Sequence, residues 1–183
     1  MEPKLANPGP LGLAGFGLTT ILLNIHNAGF FPVSAMTMAM GIFMGGFAQI
    51  IAGILEYRRG NSFGTVAFIA YGSFWISLVT TWILPKLGMA EPTPPDYMGW
   101  YLAVWGIFSV FMTIATLKSS KVLTFVFVTL DILFLLLALY NWTGSKLIGM
   151  IAGWEGIVCG AAALYLGMAE LVEERLEKRV LPY

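Results

Sequence analysis

Three ionisable residues lie in predominantly apolar stretches of the sequence: His26, Asp131 and Glu155. A charge inside hydrocarbon costs about 2.5–3.5 kcal/mol on insertion scales, so each of these residues needs a function or a partner. We expect Glu155 to lie on a solute path or to link helices structurally. Asp131 has four open interpretations: a protonated acid, a residue paired across helices, a subunit contact or a residue with a direct role toward the solute. His26 is typical of an interfacial hydrogen-bonding residue at a helix end.

The sequence lacks the residue patterns of common catalytic and metal sites. A Ser/His/Asp set, an HExxH pair and a Walker loop are absent, and one histidine cannot build a His-rich metal site. The single cysteine, Cys159, excludes an internal disulfide and is expected to pack between helices. We therefore expect no enzyme activity, no metal and no cofactor.

The composition is that of an integral membrane protein. Of 183 residues, 58% are hydrophobic and 11% are charged, which is about half the charge of a typical soluble domain. Ten basic residues balance ten acidic ones, so no net positive field favours a nucleic-acid partner. The lipid bilayer is the expected environment.

Apolar stretches long enough to cross a bilayer occur six times, so the sequence predicts an all-α protein with six transmembrane helices. Pro32 is expected to open the second helix, and Pro85 to close the third. The expected helices are 10–30, 33–55, 63–84, 98–117, 121–140 and 146–169, forming a transmembrane domain over 10–169 between a cytoplasmic segment 1–9 and a cytoplasmic tail 170–183. In that tail, Glu174 and Lys178 are four residues apart, which predicts that the sixth helix continues into water.

The distribution of basic residues predicts that both termini are cytoplasmic. With the N-terminus inside, two lysines fall outside, Lys86 and Lys146. The eight basic residues inside are Lys4, Arg58, Arg59, Lys118, Lys121, Arg175, Lys178 and Arg179. Glu56 and Glu170 end their helices at the inner surface, where solvation accounts for them.

Small residues four apart predict close helix packing, because association in lipid depends on tight contacts. One ridge in the second helix contains Gly41, Gly45 and Gly53, with Gln49 in the same row; one in the sixth contains Ala152, Gly156 and Gly160. Two interpretations stay open: the ridges only join helices, or they also leave a narrow solute path beside Gln49 and Glu155. Such faces also suit a homo-oligomer.

The first helix places Phe16, Thr20 and Asn24 on one face at the i, i+4 spacing. This face changes from aromatic to hydroxyl to amide. The order suits a path that offers hydrogen bonds outside a tight apolar ring.

The stretch "NPGPLGLAGF" resembles the signature of the acetate uptake transporter family, the succinate-acetate permeases. Gly9 replaces the alanine that is usual in the family. The similarity continues through "LTTILLN", "MGIFMGGFAQIIAGILEYRRGN", "AYGSFW" and "AGWEGIVCG". The motif residues are Asn7, Pro8, Pro10, Leu11, Gly12, Leu13 and Gly15.

The resemblance implies a homohexamer of six-helix protomers in the plasma membrane or bacterial inner membrane, with one solute path through each protomer. Acid-activated urea channels share this plan. The family's narrow apolar constriction matches Phe16, Tyr71 and, by position in the fifth helix, Leu130. Acetate and related small carboxylates, with succinate as a further candidate, are the implied solutes, and protons are a possible co-substrate.

An apolar ring is a severe barrier to a hydrated carboxylate. Either the solute crosses as the neutral acid, or the anion crosses partly dehydrated while polar side chains replace lost waters. The polar side chains expected to replace water are Thr20, Asn24, Gln49 and Tyr71. Channel and proton symporter both remain open, and two other functions compete: a channel for a neutral solute such as urea or ammonia, and a membrane scaffold subunit.

Overall fold

The computed structural model describes residues 5–183, and this part of the chain folds into a bundle of six helices without strands. Lys4, counted above for orientation, lies outside the described residues. The helices are α1 (Gly9–Asn27), α2 (Ala35–Arg58), α3 (Ser62–Lys86), α4 (Pro95–Thr116), α5 (Lys121–Thr143) and α6 (Lys146–Leu176). We call the end of the bundle where α1 begins and α6 ends the terminal side, and the other end the opposite side.

Five of these helices, α2 to α6, are long and apolar enough to cross a membrane. The 19-residue α1 carries more polar and small residues and does not meet the same criterion. Helix boundaries differ from the predicted ones by a few residues: α2 begins at Ala35, three residues after Pro32, and α3 continues to Lys86 with Pro85 in its last turn. Large apolar side chains such as Phe43 and Phe111 cover the outside of the bundle.

Glycines bring α1 and α6 into backbone contact. A Cβ added to Gly160 would lie 2.8 Å from the carbonyl oxygen of Gly17 and 2.9 Å from Ile21. Gly156 packs against the side chain of Asn24, and Gly153 against the backbone of Ala28. The packing role expected for the small-residue ridge of α6 is therefore confirmed.

The glycine ridge of α2 packs mainly against α3. Gly41 meets Val79, Gly45 meets Trp75, and Gly53 meets Ile69. Between Gly41 and Ala48 the helix has π geometry, which the apolar pattern did not predict. This wide turn lies beside α1, where the Thr19 hydroxyl donates a hydrogen bond to the Met40 carbonyl at 3.3 Å. Helices α1 and α3 thus hold α2 on two sides.

The chain after α6 folds back along its own helix. Glu177 has a left-handed backbone (φ 52°), and beyond it the Tyr165 hydroxyl donates to the Pro182 carbonyl at 2.8 Å. The Tyr183 hydroxyl donates to Glu173 at 2.7 Å, and this bond to a carboxylate raises the pKa of Tyr183. Helix α6 continues to Leu176, beyond the expected end at 169, as the charged tail predicted, but it ends before Lys178, so Glu174 and Lys178 do not share one helix.

We expect Gly160→Ala to lower the stability of the bundle by about 1–3 kcal/mol, because the added methyl group meets backbone atoms that cannot move independently. Alanine has the higher helix propensity, so any loss reflects packing alone. The measurement is thermal unfolding of the purified protein in detergent. Ala161→Leu is the matched control, since the neighbouring Ala161 is exposed. Equal midpoints for Gly160→Ala and the unmodified protein would contradict the packing argument.

Candidate functional site

A cavity of about 710 Å³ extends from the terminal side into the bundle. Gln49, Tyr71 and Leu130 line it, and each lies about nine residues, or roughly 14 Å of helix rise, from the terminal end of its helix. Phe16 lines it from α1. The cavity therefore leads from the charged end of the bundle to about half its depth.

The three residues matched to the constriction are buried and line this one cavity. The exposed fractions of Phe16, Tyr71 and Leu130 are 7%, 3% and 4%. The ring centroids of Phe16 and Tyr71 are 6.1 Å apart, and those of Tyr71 and Phe127 are 6.0 Å apart. Such an apolar ring can exclude water and hydrated ions while admitting a small, weakly hydrated solute.

Phe127 is a wall residue that the sequence analysis did not single out. It precedes Leu130 by three positions and follows Leu123 by four, so all three share one face of α5. All three line the cavity. This helical spacing from Leu130 is the sequence pattern that could have identified Phe127 as a wall residue.

The four residues expected to line the solute path separate into two groups. Gln49 lines the cavity, whereas Thr20, Asn24 and Glu155 are not part of the described wall. Asn24 donates to the Thr20 carbonyl at 2.9 Å and accepts from Asn27 at 2.9 Å, so its amide bonds within α1. Within residues 5–183, Gln49 Oε1, Thr20 Oγ1 and both Glu155 carboxyl oxygens are shielded from solvent and lack a hydrogen-bond partner.

The mouth of the cavity is held by a polar network around Asn7. Asn7 Oδ1 accepts from Arg59 and, at 3.1 Å, from the backbone N–H of Gly9, while Asn7 Nδ2 donates to Glu170 at 3.4 Å. The network joins the N-terminal segment to the ends of α2 and α6. Asn7 thus anchors the start of α1.

Glu56 is buried at this mouth, with 2% of its surface exposed. It accepts a hydrogen bond from Asn61 at 2.9 Å and lies 3.6 Å from the Arg59 guanidinium. The expectation that solvation accounts for Glu56 is therefore wrong. Hydrogen bonding and ion pairing compensate for its burial instead.

The rest of the signature motif builds the first turns of α1. Pro10 lies in the first helical turn, where no intrahelical donor is lost. Gly12 packs against Phe68, and a Cβ on Gly15 would lie 2.5 Å from the Met44 carbonyl oxygen in the π-helical turn. Leu13 lines the cavity. Pro8 precedes the helix and Leu11 is exposed on the outside.

The remaining singled-out residues lie outside the cavity wall. The His26 Nδ1–H donates to the Phe31 carbonyl at 2.7 Å, which agrees with a hydrogen-bonding role at the helix end. Cys159 is fully buried between helices. Asp131 accepts a hydrogen bond from Thr113 of α4 at 2.7 Å, so it contacts a neighbouring helix as one of its interpretations required.

An apolar-faced helical bundle whose cavity runs from a polar mouth to a buried aromatic ring is typical of membrane transport proteins and channels. Comparison with known proteins gives the particular group. The chain matches the GPR1/FUN34/yaaH family over residues 1–181 and belongs to that family. The resemblance carried by the N-terminal motif is thereby confirmed.

Characterised relatives include the succinate-acetate/proton symporter SatP of Escherichia coli (strain K12), 53% identical over 98% of this chain and 95% of the relative. The solved structure of the bacterial acetate channel SatP superposes with a TM-score of 0.97, at 53% identity, covering 98% of this chain and 99% of that one. Ammonia transport outward protein 2 of Saccharomyces cerevisiae is 35% identical over 88% of this chain, which spans 60% of that longer protein.

We expect Leu123→Cys to react with a membrane-impermeant thiol reagent only when the terminal side faces the reagent, because Leu123 lines the cavity. Thr20→Cys should stay unlabelled from that side, because the ring of Phe16, Tyr71 and Leu130 lies between. The measurement is mass spectrometry of protein labelled in vesicles of known sidedness. The unmodified chain is the control, since its Cys159 is buried. Equal labelling of both variants would contradict a closed ring.

Proposed function

We propose that this protein moves acetate and related small monocarboxylates, with succinate as a further substrate, across a cell membrane. The observation that carries the proposal is the 53% identity to a succinate-acetate/proton symporter over 98% of the chain. The cavity adds a physical route from one end of the bundle to its middle.

In this proposal, Phe16, Tyr71 and Leu130 form the constriction that selects solutes by size. Their side chains line one cavity from three helices, and their burial supports a dry passage. A two-carbon acid has an apolar methyl group that tolerates such surroundings. A larger acid must displace ring or leucine atoms that close packing holds in place.

Four residues are proposed to line the solute path on either side of the constriction. They are Thr20, Gln49, Glu155 and Asn24. Their unpartnered oxygens can exchange hydrogen bonds with a solute carboxyl group. Proton-linked transport follows if the solute crosses as the neutral acid, because the acid carries its proton through the dry ring. A channel and a symporter both fit this scheme.

The proposed arrangement has six membrane spans and both termini in the cytoplasm, with the transmembrane domain at 10–169. Helix α1 packs against α6 from Leu13 beside Gly167 to Ala28 beside Gly153, which supports its crossing as a sixth span. Arg58, Arg59 and Lys121 lie on the terminal side, which supports the cytoplasmic orientation. The apolar exterior suits lipid and a homohexamer in the plasma or bacterial inner membrane.

Two other functions stay in competition. An ammonia channel is suggested by the name of the yeast relative. A urea channel is suggested by the six-helix arrangement that the resemblance shares with acid-activated urea channels. A scaffold subunit is supported only by the glycine-rich faces, which could bind helices of partner proteins. The acetate proposal is preferred because the more similar relative covers nearly the whole chain.

We expect purified protein in liposomes to take up radiolabelled acetate, and uptake should rise when the outside is made more acidic than the lumen. The acid gradient raises the fraction of neutral acid on the outside and drives any coupled proton inward. Liposomes without protein give the background. Acetate uptake at background, with ammonia or urea permeating, would replace the proposal by the neutral-solute channel; no flux of any of them would favour the scaffold.

We expect Leu130→Ala and Phe16→Ala to admit lactate, because each removes side-chain atoms from the constriction. Lactate uptake should rise several-fold above background while acetate uptake persists. The measurement is uptake of labelled lactate into proteoliposomes. Leu135→Ala is the matched control, since Leu135 lies on α5 with 57% of its surface exposed. If lactate uptake stays at background in both variants with acetate uptake intact, the constriction assignment fails.

A further inference from the structure

Asp131 lies next to Leu130 in α5 and extends toward α4. The Thr113 hydroxyl donates a hydrogen bond to Asp131 Oδ2 at 2.7 Å. The second oxygen, Oδ1, is shielded from solvent and has no hydrogen-bond partner in residues 5–183. A carboxyl group at membrane depth with one free oxygen requires a physical explanation.

Two buried hydroxyl groups lie in the same region. Ser109 is fully buried and Tyr71 is 3% exposed, and neither hydroxyl has a partner among the described residues. The Thr113 hydroxyl that bonds to Asp131 also donates to the Ser109 carbonyl at 3.1 Å, and the Tyr71 ring packs against Phe108, the neighbour of Ser109, at 5.6 Å between ring centroids. We call Tyr71, Ser109, Thr113 and Asp131 the Asp131 cluster. The cluster adjoins the constriction, because the Tyr71 ring lines the cavity and Asp131 follows the wall residue Leu130.

The groups that the structure describes around the Asp131 cluster include no positive charge that could compensate an ionised Asp131 carboxylate. Helix α3 contributes the hydroxyl of Tyr71, and α4 contributes those of Ser109 and Thr113. Helix α6 contributes Cys159, whose thiol donates to the Val126 carbonyl of α5 at 3.5 Å, with Glu155 one turn before it. In the described part of the chain, Asp131 forms no salt bridge with a basic side chain. Asp131 is not part of the described cavity wall, but it directly follows Leu130, which is; its charge, when ionised, therefore acts through the wall on a solute at the constriction.

The approach to the constriction from the terminal side is also acidic. Arg59 is the one basic residue on the described cavity wall. The acidic residues on that wall are Glu56, Glu170, Glu173, Glu174 and Glu177. A route built for free carboxylate anions would be expected to show the reverse balance.

We propose that Asp131 is a specificity-determining residue that sets the charge of the solute at the constriction. Its carboxylate repels a solute carboxylate and leaves the neutral acid as the species that passes. This inference rests on the proposed transport of small carboxylic acids. It specifies that the substrate crosses as the neutral acid, and it assigns the exclusion of the anion to the side chain of Asp131.

The test compares voltage-driven acetate uptake by proteoliposomes containing the full chain, Asp131→Asn, Asp131→Ser or Asp131→Glu. An imposed potassium potential drives anion uptake at alkaline pH, where acetate is almost entirely ionised. We expect the two neutral variants to increase this uptake on the order of tenfold, because removing one repulsive charge lowers the barrier to an anion. Asp131→Glu keeps the charge and should match the unmodified protein.

Ser73→Ala is the matched control, because the Ser73 hydroxyl is exposed and bonds to its own helix at Ile69. Uptake at acidic pH without a potential shows that each variant is folded and active. Voltage-driven uptake that stays at the unmodified level in both neutral variants, with acid-driven uptake intact, overturns the role of Asp131 and leaves the proposed function standing. Absence of acetate uptake by the unmodified protein at every pH overturns the proposed function and this inference with it.

Discussion

The close approach of α1 to its neighbours is the contact on which the rest of the structure depends. Gly17 and Gly160 bring the backbones of α1 and α6 together, and Gly15 brings α1 against the Met44 carbonyl of α2. With larger residues there, α1 would stand several ångströms further out, and Phe16 would no longer face Tyr71 across the cavity. Backbone contact therefore sets the width of the route, and the aromatic side chains complete it.

Much of this fold can be predicted from local sequence patterns. Hydropathy and length give the helices, because lipid requires about 20 apolar residues for each span. Prolines Pro8 and Pro10 indicate the start of α1, and glycines four apart indicate the faces that pack. Phe16 and Tyr71 came from their motifs and Leu130 from its position, and all three line one cavity.

Features that depend on contacts distant in the sequence were not predictable in this way. Glu56 looks like a solvated helix end until Asn61 and Arg59 are placed around it. The Asn7–Arg59 hydrogen bond joins residues 52 positions apart, and no local pattern indicates it. The folded-back tail depends on Tyr165 reaching the Pro182 carbonyl, which hydropathy cannot show. Each of these features depends on contacts between residues from different elements, more than on local secondary-structure propensity.

The π-helical turn Gly41–Ala48 interrupts the regular row of side chains along α2. A uniform α-helix would continue one row of side chains from end to end, whereas the wider turn changes the angular step between successive residues. Gly41 and Gly45 face α3, Gln49 four residues later faces the cavity, and Gly53 faces α3 again. The π-helical turn holds one more residue than an α-helical turn would. Deleting one residue there would rotate one half of α2 about its axis relative to the other and bring bulky side chains into the contact with α3.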